Sequence, residues 1–116
     1  MPRGRPKKEN TFNLRIRLNN AVFAKVKEQS QKDNKGLSTI VFDIVNSNLV
    51  PDFNKRLSDW NFDNVVYSRL TKTTFEKYKT TFLNEHSKQT GLVYKLFDNT
   101  AFYFYINIIL EQYYQI

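Results

Sequence analysis

Cysteine is absent from this 116-residue chain, which excludes disulfides and thiolate metal sites. Histidine occurs once, at His86, and one imidazole builds no metal site without several carboxylates around it. Glycine occurs three times, and no glycine-rich phosphate loop is formed. No pair of carboxylates is marked out by spacing, so the expectation is a protein that is neither an enzyme nor a cofactor carrier. Asp43 is the single acid in an apolar-rich stretch and suits a surface or capping role. The N-terminus is basic, but no apolar segment follows it as a signal peptide requires. The longest apolar run, Ala101 to Leu110, is too short to span a bilayer and is broken by Asn107. A soluble, cytoplasmic protein without a membrane partner is expected.

Charge is present in excess and unevenly placed. The net charge is +7. Residues 1–50 hold ten Lys and Arg against four Asp and Glu, whereas residues 51–116 hold eight against seven. A basic half joined to a near-neutral, aromatic-rich half suits one part to a polyanion and the other to packing.

Four segments follow from pattern. Residues 1–10 are polar, contain Pro2, Gly4 and Pro6, and read as a disordered basic arm. Residues 11–50 form the most regular unit, closed by Val50-Pro51, since a residue before proline is pushed out of helical geometry. Residues 51–63 are a polar linker in which Trp60 and Phe62 are the expected buried anchors. Residues 64–116 form the second half.

Within the first unit, Phe12 to Leu18 alternates apolar and polar residues without a break. A strand is predicted, with Phe12, Leu14, Ile16 and Leu18 inward and Asn13, Arg15 and Arg17 outward. Asn19 or Asn20 can cap the helix that follows, from about Ala21 to Asp33. Asn34-Lys35-Gly36 ends it, because Asn and Gly tolerate the left-handed backbone of a helix terminus. Ser38 is the expected cap of the next helix, whose apolar face is Leu37, Ile40, Val41, Ile44, Val45 and Leu49. The strand has no partner in this unit. Its backbone groups need one, and the economical source is a second copy across a two-fold axis, with interlocked helices.

The stretch Ile16 to Val26, with Asn34, Ser38, Ile40-Val41 and Ile44-Val45 at their spacing, resembles the ribbon-helix-helix superfamily of Arc- and Met-repressor-like DNA-binding proteins. The similarity covers residues 11–50 without a gap. It implies a mainly α fold with a short β-ribbon, formed as a homodimer with one strand from each subunit, inserted into the major groove. By position, Asn13, Arg15 and Arg17 would face the bases, with Thr11 at the edge. Arginine matches guanine O6 and N7, and asparagine matches adenine N6 and N7. The resemblance also implies phosphate contacts from the start of the second helix at Leu37, Ser38 and Thr39, with Lys35 nearby.

The arm Pro2-Arg3-Gly4-Arg5-Pro6-Lys7-Lys8 resembles an AT-hook. Arg3, Gly4, Arg5, Pro6, Lys7 and Lys8 would then lie along a narrow A·T-rich minor groove, where the negative potential is enhanced. A plain basic arm touching phosphates is the alternative.

In the second half, a shift of 52 positions places Arg17-Leu18 on Arg69-Leu70, and Phe23 and Lys25 on Phe75 and Lys77. One reading of residues 64–116 is thus a degenerate tandem ribbon-helix-helix unit, whose strand would offer Val65, Tyr67 and Arg69. The other is a mostly helical oligomerisation domain. A helix from about Thr71 to Lys88 carries Phe75, Tyr78 and Phe82 on one stripe, and Gly91–Phe97 reads as a strand or loop. The last helix, from Thr100 to about Tyr114, is apolar over most of its circumference, which favours contacts between dimers on repeated DNA sites.

The expected function is sequence-specific binding of double-stranded DNA, as a transcriptional repressor or as a relaxosome accessory factor at a plasmid origin of transfer. A relaxase is the implied partner in the second case. The alternatives are an antitoxin that autoregulates its promoter and a protein–protein adaptor that binds no DNA.

Overall fold

A computed structural model describes residues 10–116. It contains four helices and a two-stranded antiparallel sheet, in the order strand, helix, helix, twice over. The mainly helical class with a short β-ribbon is as expected. Among the described residues no helix is long and apolar enough to cross a membrane.

Strand β1 (Thr11–Leu18) follows the alternation at its second half, with Ile16 and Leu18 buried and Asn13 and Arg15 exposed; Leu14 is half-buried, and Phe12, expected inward, is exposed at the open end against Phe75. Helix α1 (Asn20–Asp33) starts at Asn19, whose side chain accepts the Val22 N–H at 2.8 Å. It stops at Asn34, which takes the left-handed conformation at φ 54°. Helix α2 (Leu37–Ser47) turns Ile40, Val41, Phe42, Ile44 and Val45 inward. Its cap is Gly36, not Ser38; Ser38 lies inside the first turn, and its hydroxyl meets that of Ser68 at 2.7 Å.

The second half repeats the plan. Strand β2 (Asn64–Thr71) leads into α3 (Lys72–Thr90), capped by the Thr71 hydroxyl. A loop through Gly91–Phe97, with Leu92, Val93 and Leu96 exposed, leads to α4 (Asn99–Tyr113), capped by Asp98. The caps Asn19 and Thr71 stand 52 positions apart, and so do the paired residues Arg15 and Tyr67 in mid-ribbon. The faint repeat in the sequence therefore coincides with the frame of the fold. The halves diverge further on, because α3 runs to 19 residues where α1 has 14.

The expectation of a strand partner from a second copy is corrected here: β1 pairs antiparallel with β2 of the same chain, Thr11 opposite Thr71 through Leu18 opposite Asn64. The halves interlock, with α4 of the second half against β1 and α2 of the first half against β2. A single apolar core runs through both, from Ile16, Val22 and Val41 to Tyr78, Phe82 and Tyr105. The apolar circumference of α4 is covered within the chain as well. Phe102, Tyr105, Ile106, Ile108, Ile109 and Leu110 are all buried there, so no neighbouring dimer is needed to hide them.

Helix α4 also completes the outer edge of β1. The Asn107 side chain donates to the Arg17 carbonyl and accepts from the Asn19 N–H, both at 2.9 Å, as a neighbouring peptide group would. The Tyr103 hydroxyl donates to the Arg15 carbonyl at 3.2 Å. Backbone groups left over by the two-stranded ladder are thereby satisfied by side chains.

The linker is pinned by polar clamps. Gln89 accepts from the Phe53 N–H and donates to the Pro51 carbonyl, and Gln112 makes the same two-point bond to Asp52. Phe53 and Leu57 are its buried anchors, whereas Trp60, expected inside, is 60 % exposed and stacks on Phe104. Phe62 is half-buried.

Glu111 is wholly buried and fully bonded. It accepts from Lys55 Nζ at 2.9 Å, from the Ser58 N–H and hydroxyl, and from Asn19 Nδ2 at 2.8 Å. Burial pushes its carboxyl pKa up, but the bonds from Lys55, Ser58 and Asn19 outweigh that and hold it below the usual value of 4.5. His86 sits among Phe53, Phe82 and Tyr94, and burial lowers its pKa against a smaller opposing effect from the Leu92 backbone.

Four outcomes are expected. Sedimentation of the free protein at micromolar concentration should give one chain, 13.8 kDa, because the ribbon is closed within it; a dimer at that concentration would count against a self-sufficient chain. Glu111→Gln should cost about 2–3 kcal/mol in denaturant unfolding, since its partners keep their desolvation cost but lose the charge. A carboxyl with a lowered folded pKa stabilises above its unfolded value and loses that contribution as pH falls through the folded one. Wild-type stability should therefore drop below about pH 4.5, in a limb that Glu111→Gln lacks. The separate loss from His86 begins higher, below its ordinary 6.5.

Candidate nucleic-acid interface

Alternation along both strands gives the ribbon one face toward the helices and one away from them. The outward face carries Thr11, Asn13, Arg15 and Arg17 from β1, opposite Thr71, Arg69, Tyr67 and Val65 from β2. The sheet thus brings the four residues expected to touch bases onto one surface. Asn13, Arg15, Tyr67 and Arg69 are exposed, whereas Arg17 is half-buried and leans toward the Phe62 carbonyl at 3.5 Å. Arg69 Nε donates to Asn13 Oδ1 at 3.2 Å, which ties the two side chains together across the ribbon.

The face is cationic without compensation. Among the described residues, the ion pairs join Lys55 to Glu111 and Lys88 to Glu85, and no carboxylate pairs with Arg15, Arg17 or Arg69. Three guanidinium groups on one small ribbon, held by backbone pairing beneath, make a positive surface that attracts a polyanion.

A depression of about 630 Å³ extends this face toward α2, lined by Asn13, Arg15, Tyr67 and Arg69 and by Leu14, Ser38 and Ser68. Of the residues expected to hold phosphate, Ser38 alone lines it. Leu37 is half-buried and Thr39 exposed in the same turn. Lys35 faces a different depression, with Asp33 and Asp43 among its lining. The start of α2 carries no side-chain cap, whereas the matching start of α4 is occupied by the Asp98 carboxylate, which accepts the Ala101 N–H at 2.9 Å. Arg3, Gly4, Arg5, Pro6, Lys7 and Lys8 lie outside the described residues.

Arg69 and Tyr67 are the additions that the first half alone does not suggest. Their signal is the 52-residue repeat, which makes Arg69 the counterpart of Arg17 and Tyr67 that of Arg15. Among the described residues no group of three or more His, Cys, Asp or Glu is placed to hold a metal ion. Comparison with protein-family models, with curated proteins and with solved structures found no match to this chain.

Proposed function

We propose that this protein binds double-stranded DNA sequence-specifically as a ribbon-helix-helix protein whose two reading strands come from one chain. The observation that carries the reading is the outward face of the ribbon. Asn13, Arg15, Arg17 and Arg69 share it, and among the described residues no acid is paired to them.

Geometry supports the fit. A two-stranded ribbon is narrow enough for the major groove of B-DNA, about 12 Å wide. Outward residues on one antiparallel strand recur roughly every 6.8 Å. Base pairs stack about 3.4 Å apart, so successive outward residues meet alternate base pairs. Guanidinium and amide groups at that spacing are the side chains with two-point matches to guanine and adenine. The role is that of a transcriptional repressor or an origin-of-transfer accessory factor, for which the chemistry of binding is the same. A toxin-binding tail finds less support, because α4 is already folded into the core.

Selection of sequences from random duplex DNA by the full chain should yield a short motif. Arg15→Ala, on an exposed face, should then weaken binding to it by roughly 5- to 150-fold, the value of one bidentate base contact of about 1–3 kcal/mol. Anisotropy titration reads the change. Binding that follows salt concentration alone, with no motif and no effect of Arg15→Ala, would sink this reading.

A further inference from the structure

We propose that the DNA site read by this chain is non-palindromic and is filled by one chain in one orientation. The inference rests on the ribbon being the DNA-reading face, and adds what that face demands of its target.

A ribbon made from two identical strands presents the same residues to both half-sites. With two copies of β1 in this register, Asn13 would oppose Arg17 at both ends and Arg15 would oppose its own copy. The chain does not do this. Asn13 opposes Arg69 at one end, Arg15 opposes Tyr67 in the middle, and Arg17 opposes Val65 at the other end.

The two ends therefore ask for different bases. The first offers an amide and a guanidinium, tied together at 3.2 Å. That pair suits adjacent adenine and guanine edges. The second offers a guanidinium beside an isopropyl group. Val65 has no hydrogen bond to give, and its natural contact in the groove is the 5-methyl of thymine. In the middle, Tyr67 is 73 % exposed and presents one hydroxyl, where a second Arg15 would present a fork of donors. Reversing the chain on the DNA would set each end against the wrong half-site. Among the described residues, both strands are paired with each other, so no strand is left through which a second chain must complete the reader.

The test uses the full chain and two variants that make the ribbon symmetric in opposite ways. Val65→Asn with Tyr67→Arg gives the second strand the pattern of the first, and Asn13→Val with Arg15→Tyr does the reverse. All four positions lie on the outward face, so both proteins keep the core, and the residues before Asn10 are common to all three. Wild type should select a motif with unlike halves, and inverting one half of it should lower affinity about 5-fold or more. Sedimentation of the complex on a single motif should show one chain per duplex. Each symmetrised variant should select a motif whose two halves resemble each other. A palindromic wild-type motif, two chains per motif, or symmetrised variants that keep the wild-type motif would each overturn the inference while leaving DNA reading intact. No motif from any of the three would overturn both.

Discussion

Everything in this fold depends on where β1 finds its hydrogen-bonding partner. Eight residues of strand leave a row of N–H and C=O groups that neither α1 nor α2 can satisfy. Because β2 of the same chain supplies the ladder, the linker must carry the chain back to start an antiparallel strand, and the two helical pairs must interlock beneath it. Two-stranded ribbons are marginal on their own. This one is held from below by the shared core and at its β1 edge by α4, where Asn107 stands in for a third strand. Of its outward face, Thr71 caps α3 and Arg17 reaches the Phe62 carbonyl, while Asn13, Arg15, Tyr67 and Arg69 are left exposed.

The buried polar groups serve that closure. Asn19 ends β1, caps α1, bonds the linker at the Asp59 carbonyl and meets Glu111 of α4, so strand, helix, linker and second half converge on one side chain. An ion pair taken out of water adds little net stability by itself. Here the carboxylate also accepts from the linker backbone at Ser58, which fixes the path between the halves. A polar cluster sits where an apolar one would have held the same elements with less directional preference.

The first half was legible because its signals are local. Alternation from Phe12 to Leu18 defines a strand face, and Asn34 has the backbone tolerance that a helix end demands. What was not legible depends on contacts distant in sequence. Ser38 is a good cap by type, but its hydroxyl is used by Ser68, thirty positions on, and the turn leaves Gly36 at the cap. Trp60 looked like an anchor, yet Gln89, Gln112 and Glu111 pull Phe53 and Leu57 inward instead. The apolar surface of α4 was visible, and its cover was not. Counting only the second half leaves too little area to hide that helix, whereas the two halves together hide it. Of the outward face, the β1 residues could be read from alternation, and the β2 residues only once the 52-residue repeat is taken as structural.

Joining two ribbon units in one chain changes what each position can become. In a dimer of identical chains, the residue on the two-fold axis faces its own copy, and two arginines directly opposite repel each other. Position 15 would carry that penalty. In this chain its partner is Tyr67, so the arginine is kept and the repulsion removed. Tethering also replaces a bimolecular encounter by one at an effective concentration of millimolar order for a short linker, so formation of the ribbon does not depend on how much protein is present. At equivalent positions of the two strands, Arg17 and Arg69 are alike, while Asn13 and Val65 are not. A single-chain ribbon can therefore specialise its two ends separately, which a symmetric dimer cannot do without changing both at once.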